Sequence, residues 1–249
     1  MISTSSQNRA NAEQCLQHWR QWSENLTREP VIQSMLKGGL TNCNWLVRSE
    51  LGEWVLRVNH PRSSTLGINR ANELRVLKTI ANLNISPPLI YSDPNFRYQI
   101  TAYIPGTVWN LRHLKSAENL DRIQSLIARY QQLPFSCEPR NYLTYLDNYR
   151  QQLSDQALTL TDWLRFDQCH QQLQALDGYW PEARLCHHDL VPGNIIETQD
   201  QLYLLDWEYA APGCGELDYL AIGATESVDP LARELYFWLN RLWYLVQET

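Results

Sequence analysis

The chain has 249 residues, 44% hydrophobic and 19% charged, with a net charge of −6. That length suits one large domain or two lobes sharing a cleft, each with a real core, and the composition excludes disorder. The acid excess speaks against nucleic acid as a partner, and no apolar run approaches the roughly 18 residues of a membrane span. Cys15, Cys43, Cys137, Cys169, Cys186 and Cys214 form no Cys-x-x-Cys pair. Scattered thiols and a polar start, Met1-Ile2-Ser3-Thr4-Ser5-Ser6, with no secretory pattern, point to a reduced, cytoplasmic protein.

Cys15, Leu16, Trp19, Trp22 and Leu26 recur at helical spacing, which predicts an amphipathic helix over 9–27. Val31 to Leu36 reads as a strand, then a turn at Gly38-Gly39, a strand from Cys43 to Arg48, a turn over 49–53 and a strand from Trp54 to Val58. Leu74, Leu77, Ile80 and Ala81 share one face of a helix over 69–82. Pro87-Pro88 ends it, Leu89-Ile90-Tyr91 follows, and a further strand runs from Arg97 to Ile104 and closes at Pro105-Gly106. Beyond that point the pattern is helical over 117–133, 141–154 and 161–177. A strand pair near 195–196 and 202–205 interrupts it before helices at 215–224 and 230–247. The chain thus changes from β-rich to helix-rich near Pro105-Gly106.

The chemistry gathers in Cys186-His187-His188-Asp189-Leu190-Val191-Pro192-Gly193-Asn194 and in Leu204-Leu205-Asp206-Trp207-Glu208-Tyr209. Phosphoryl transfer needs a carboxylate to orient an acceptor hydroxyl, and oxygen ligands for magnesium. Asp189 suits the first role. Asn194, five residues on, and Asp206, at the end of a short apolar strand, suit the second. Alone, Asp-x-x-x-x-Asn reads equally as a capped Asx turn; His187 and Asp206 at their spacings make the constellation specific.

His187-x-Asp189-x-x-x-x-Asn194 followed by Leu205-Asp206-Trp207-Glu208-Tyr209 resembles the aminoglycoside phosphotransferase and choline kinase superfamily, a branch of the protein-kinase-like fold. Within it, Asp-Trp-Glu-Tyr-Ala is most similar to choline/ethanolamine kinases and bacterial thiamine kinases. The resemblance implies a two-lobed α+β kinase-like fold. Its N-lobe, an antiparallel sheet plus a helix, would cover 1–105 and bind nucleotide. Its helical C-lobe, 106–249, would carry catalysis and the acceptor. It implies ATP and Mg²⁺ as cofactors, Asp189 as catalytic base, Asn194 and Asp206 as metal ligands, and His187 as a structural residue of the loop.

The first half fits a nucleotide site. Gly38-Gly39-Leu40-Thr41-Asn42 falls between two strands, where small residues let N–H groups approach phosphate oxygens. By itself this is an ordinary hairpin turn. No Gly-x-x-x-x-Gly-Lys-Ser/Thr loop is present. Arg57 stands on the third strand where kinases generally place a phosphate-binding lysine; choline kinases resemble this chain in using arginine, whose fork binds phosphate bidentately. Glu73 matches the helix glutamate that pairs with that cation. The strand ending at Pro105-Gly106 fits the hinge between lobes, with adenine bonding to the backbone around Ala102 and Ile104.

From Trp207 onward, seven acids face two arginines, and aromatic residues are dense. Acids with aromatic faces suit a cationic acceptor, as choline, ethanolamine and thiamine are. Tyr236, Leu239, Trp243 and Val246 also fit helix core. Glu208 and Tyr209 match the choline-kinase-like motif and are expected at the acceptor, with Glu226 near a choline-pocket glutamate. Asp218 is expected to brace the catalytic loop. Only 43 residues follow Asp206, a short wall for an acceptor site. Alternatives are an aminoglycoside O-phosphotransferase and a non-catalytic pseudokinase used as a binding module. A protein kinase is disfavoured by the lack of Asp-Phe-Gly and the short step from Asp206 to Asp218.

Overall fold

Alternation along the third strand organises the first half of the chain. In the computed structural model, which describes residues 2–36, 42–61, 63 and 67–248, strands β1 (Val31–Met35), β2 (Cys43–Ser49), β3 (Gly52–Val58), β4 (Leu89–Ser92) and β5 (Tyr98–Ala102) form one antiparallel sheet. Its order is β1-β2-β3-β5-β4. Successive side chains of a strand point to opposite faces, and directly paired residues share a face. Trp45 pairs with Leu56 and Leu56 with Ile100, while on the other face Asn44 pairs with Arg57 and Arg57 with Gln99. The apolar set packs under the N-terminal segment, in a cluster with Ala12, Leu16, Trp19, Trp22, Leu26, Val47, Trp54 and Tyr98.

That N-terminal segment differs from the single helix expected over 9–27. Helix α1 spans Ile2–Leu16, and a 3-10 turn at Trp19–Gln21 follows. The break keeps Trp19 and Trp22 both buried, at 5% and 3% exposure. Helix α2 (Arg70–Ile80) starts where Asn69 Oδ1 accepts the Asn72 N–H at 3.1 Å, a side-chain cap of the usual kind. It ends two residues earlier than expected because a 3-10 turn, Ala81–Leu83, takes over and ends on left-handed Asn84.

The chain divides into two units, Met1–Asn110 with Gly193–Glu208, and Leu111–Pro192 with Tyr209–Thr249. The first holds a small second sheet of β6 (Thr107–Val108), β8 (Ile195–Glu197) and β9 (Leu202–Leu204), in the order β6-β8-β9. Leu204 donates to the Ile85 carbonyl at 2.7 Å, and Trp109 to that of Ile195 at 2.9 Å. Gly106 is required here, since a Cβ would press on the Ile196 side chain and the Glu197 carbonyl.

The second unit carries helices α3 (Ala117–Gln131), α4 (Tyr142–Arg150), α5 (Leu160–Gln174), α6 (Glu216–Ala221) and α7 (Pro230–Glu248). A two-stranded ladder pairs β7 (Arg184–Cys186) with β10 (Ala211–Gly213). Its core joins Tyr142, Leu146, Phe166, Leu173, Leu217, Leu235, Trp238 and Leu242. Thr159 and Asp162 form a capping box at the start of α5. Among the described residues no helix is long and apolar enough to cross a membrane.

Candidate functional site

The site is built from β3 outward. Arg57, on the face away from the aromatic core, is only 7% exposed. A buried guanidinium needs anions close by. Its Nη2 lies 2.6 Å from Glu73 Oε1 on α2, and its Nη1 lies 3.3 Å from Asp206 Oδ1. Nε donates to Asn59 Oδ1 at 3.0 Å. Burial works against the Arg57 charge, but the carboxylates of Glu73, Asp206 and Glu208 outweigh it and hold the group above its ordinary pKa.

Asp206 follows β9 with φ +58°. This left-handed backbone is uncommon outside glycine, and Asp and Asn tolerate it best. It turns the chain out of the strand into the 3-10 turn Trp207–Tyr209. The Leu205 N–H donates to the Asn194 carbonyl at 2.8 Å, beside the Ile195–Leu204 pair. Asn194 and the Asp206 segment therefore run side by side. Both side chains are partly exposed, as ligands for a small ion must be.

Two guanidiniums, Arg57 and Arg70, meet three carboxylates, Glu73, Asp206 and Glu208. Glu73 and Glu208 are each 2% exposed at the side chain, and Asp206 is 24% exposed. Of these three carboxylates, Asp206 is the one that solvent and ions can reach. An Asp and an Asn supply hard oxygen donors of the kind Mg²⁺ takes, alongside phosphate oxygens and water. Groups of three or more His, Cys, Asp and Glu arranged for a metal are absent among the described residues, so softer, all-protein metal cages are not in view.

The second unit holds Asp189. Asp218, fully buried on α6, accepts from the His187 N–H at 2.8 Å, the His188 N–H at 2.9 Å and the Tyr130 hydroxyl at 2.7 Å. Burial pushes the Asp218 carboxyl above its ordinary value, against the pull of these bonds. The Asp189 N–H donates to His187 Nδ1 at 3.3 Å. His188 has φ +63°, and its Nε2 is 2.8 Å from the Tyr142 hydroxyl. That hydroxyl also accepts the Cys214 N–H at 2.7 Å. Desolvation holds His188 neutral, well below its ordinary pKa. Gly213 leaves room for this contact, since a Cβ there would collide with the Tyr142 hydroxyl.

Other expected site residues fall differently. Gly38, Gly39 and Thr41 lie outside the described residues. Asn42 is buried and donates to Glu208 Oε2 at 2.6 Å. Ala102 uses its N–H on the Pro88 carbonyl at 2.9 Å, so it does not have that donor to offer adenine. Glu208 is buried against Arg70 and Asn42. Arg140 donates to the Tyr209 carbonyl. Glu226 is an exposed turn residue between α6 and α7. Arg70, Tyr130, Tyr142 and Arg140 were not anticipated. The Arg70-x-x-Glu73 spacing was a signal in the sequence, but it reads as an ordinary surface pair at a helix start.

The model of the phosphotransferase enzyme family matches residues 33–219. The chain belongs to that family. It is 26% identical over 185 residues to Protein LicA of Haemophilus influenzae, covering 70% of this chain and 52% of that protein. It thus spans about half the length of that relative. The crystal structure of choline kinase LicA from Streptococcus pneumoniae is 20% identical, with a TM-score of 0.70, covering 87% of this chain and 86% of that one. A LicA structure in complex with AMP gives 0.72 at 19% identity, covering 92% and 88%. These likenesses establish the kinase-like α+β fold of this phosphotransferase-family chain.

Proposed function

We propose that the chain is an ATP-dependent small-molecule kinase that transfers the γ-phosphoryl group to the hydroxyl of a cationic alcohol of the choline, ethanolamine or thiamine type. The carrying observation is Asp206, partly exposed, left-handed at a strand end, beside Asn194 and at 3.3 Å from Arg57. In this reading Asn194 and Asp206 hold Mg²⁺. The ion, when bound, neutralises charge on the phosphates. Arg57, braced by Glu73, holds phosphate oxygens with its fork. Asp189 orients the acceptor hydroxyl and takes its proton. Ile104 is the hinge residue free for adenine; among the described residues no hydrogen bond engages its backbone. The AMP held by LicA supports a nucleotide of this type.

The cationic acceptor is supported by the surroundings of Asp189. Tyr149 and Tyr236 lie within the field of its carboxylate; burial first, then neighbouring tyrosines and Asp189, push Tyr149 up to about 12 and Tyr236 upward. Tyr145 already carries the Arg140 guanidinium 4.1 Å over its ring. Tyr149 and Tyr236, both partly buried, are the rings that in this reading attract the cation, by about 0.5–2 kcal/mol each. The likeness to choline kinase LicA from Streptococcus pneumoniae supports the same class.

Kinetics with Mg-ATP and choline, ethanolamine, thiamine and kanamycin, side by side, test the reading. Turnover of one of the three small alcohols, reduced by about 10³ or more in Asp206→Ala, is expected. Turnover of kanamycin alone would make it an aminoglycoside kinase. Nucleotide binding with no turnover would make it a binding module.

A further inference from the structure

Arg70, the first residue of α2, stands where three segments of the first unit converge. Its Nη1 is 2.8 Å from Glu73 Oε2 and 2.8 Å from Glu208 Oε2. Its Nη2 is 2.9 Å from Asn42 Oδ1 and 3.0 Å from Ser63 Oγ. Asn42 Nδ2 closes the ring onto the same Glu208 oxygen at 2.6 Å, and the His60 N–H reaches Asn42 Oδ1 at 3.3 Å. The Arg70 side chain is 8% exposed.

Each partner belongs to a part of the nucleotide side. Asn42 follows Gly38-Gly39-Leu40-Thr41 in the sequence. Glu73 is the anchor of Arg57. Glu208 stands two residues past Asp206. Arg70 thus ties the Asp206 segment to α2 and to Asn42, alongside the 3.3 Å contact of Asp206 with Arg57. A planar fork with parallel donors can serve two carboxylates and an amide at once; a lysine ammonium cannot hold that geometry. Glu208, meanwhile, has no exposed carboxylate to offer an acceptor, because Oε2 receives two donors and the side chain is 2% exposed.

We propose that Arg70 is a positioning residue for phosphoryl transfer, fixing the Asp206 segment to α2 and to Asn42, and that Glu208 is its anchor instead of an acceptor ligand. This rests on the reading of Asp206 as a metal ligand given above. Removing Arg70 takes from the buried Glu208 carboxylate the guanidinium that lies 2.8 Å from it, a change that drives such a group toward solvent. Displacement of about 1 Å at the reacting groups is enough to cost up to about a hundredfold in rate.

The test compares Arg70→Met, Arg70→Lys, Glu208→Gln and the Arg70→Met/Glu208→Gln pair with the unchanged protein. It uses steady-state kinetics and amide hydrogen exchange without nucleotide. Arg70→Met should lower kcat about ten- to a hundredfold for every accepted alcohol, with acceptor KM moving less than about twofold. Exchange over 202–209 should quicken at least about tenfold, while helices α4 and α5 stay protected. Arg70→Lys should stay impaired, and the double variant should be no slower than Arg70→Met. Three results overturn the proposal: unchanged exchange over 202–209 in Arg70→Met, faster exchange throughout the chain, or a Glu208→Gln variant with raised acceptor KM and normal kcat. If the unchanged protein phosphorylates no alcohol, the functional reading has failed. The exchange data still decide whether Arg70 positions the segment.

Discussion

Arg57 shows how much a single side chain constrains the rest. A guanidinium under a sheet survives only with carboxylates around it, and the chain supplies them from α2 and from the end of β9. The pairing with Glu73 was legible, because the strand arginine and the helix glutamate both match the family pattern. The pairing of Arg70 with Glu208 was not, since the partners are 138 residues apart and each reads alone as a surface charge. His188 makes a further prediction at this scale. The native protein keeps it neutral, while the unfolded chain takes up a proton near its ordinary value of about 6.5. Unfolding therefore binds a proton, and stability falls as pH drops below about 6.5, by at most about 1.4 kcal/mol per pH unit from this group. Melting temperatures between pH 7.5 and 5.5 should fall less steeply in His188→Gln than in the unchanged protein. Identical slopes would remove His188 as the cause.

Among the elements, long periodic segments were readable, as was the short pair β8 and β9, but other short ones were not. The strands β2 and β3, at seven residues each, show alternation, and α2 shows one apolar face. The two- and three-residue strands β6, β7 and β10 are too short for any period to register, and tertiary partners alone define them. Helix α1 ends at Leu16, and the helical spacing that continues through Trp19, Trp22 and Leu26 gives no sign of the break. The start of α2 matters most, since it sets Arg70 and Glu73. Asn69→Ala removes its side-chain cap and should cost about 1 kcal/mol of stability, measured by urea unfolding. No loss would mean that tertiary contacts alone fix that end.

Across the whole molecule, one motif is shared between two units. Asp189 belongs to the second, whereas Asn194 and Asp206 belong to the first. The sequence spacing marked this constellation before any coordinates, with four residues between the proposed base and the first proposed ligand. It did not show that each half has its own support: Asp218 with Tyr130 on one side, Arg57 and Arg70 on the other. The acceptor was the least legible part. Glu208, expected there, is internal, and the tyrosines that feel the Asp189 charge lie on α4 and α7. Tyr149→Ala and Tyr236→Ala should each raise KM for the cationic alcohol about two- to thirtyfold, with smaller changes in KM for ATP. Equal effects on both substrates would speak for a general packing role instead.

The central claim is chemical, and phosphorus NMR of the reaction tests it directly. With Mg-ATP and the preferred alcohol, the unchanged protein should give ADP and a phosphomonoester of that alcohol in equal amounts, and Asp189→Asn should give neither at a comparable rate. Formation of ADP with inorganic phosphate only, or undiminished phosphomonoester from Asp189→Asn, would contradict the account.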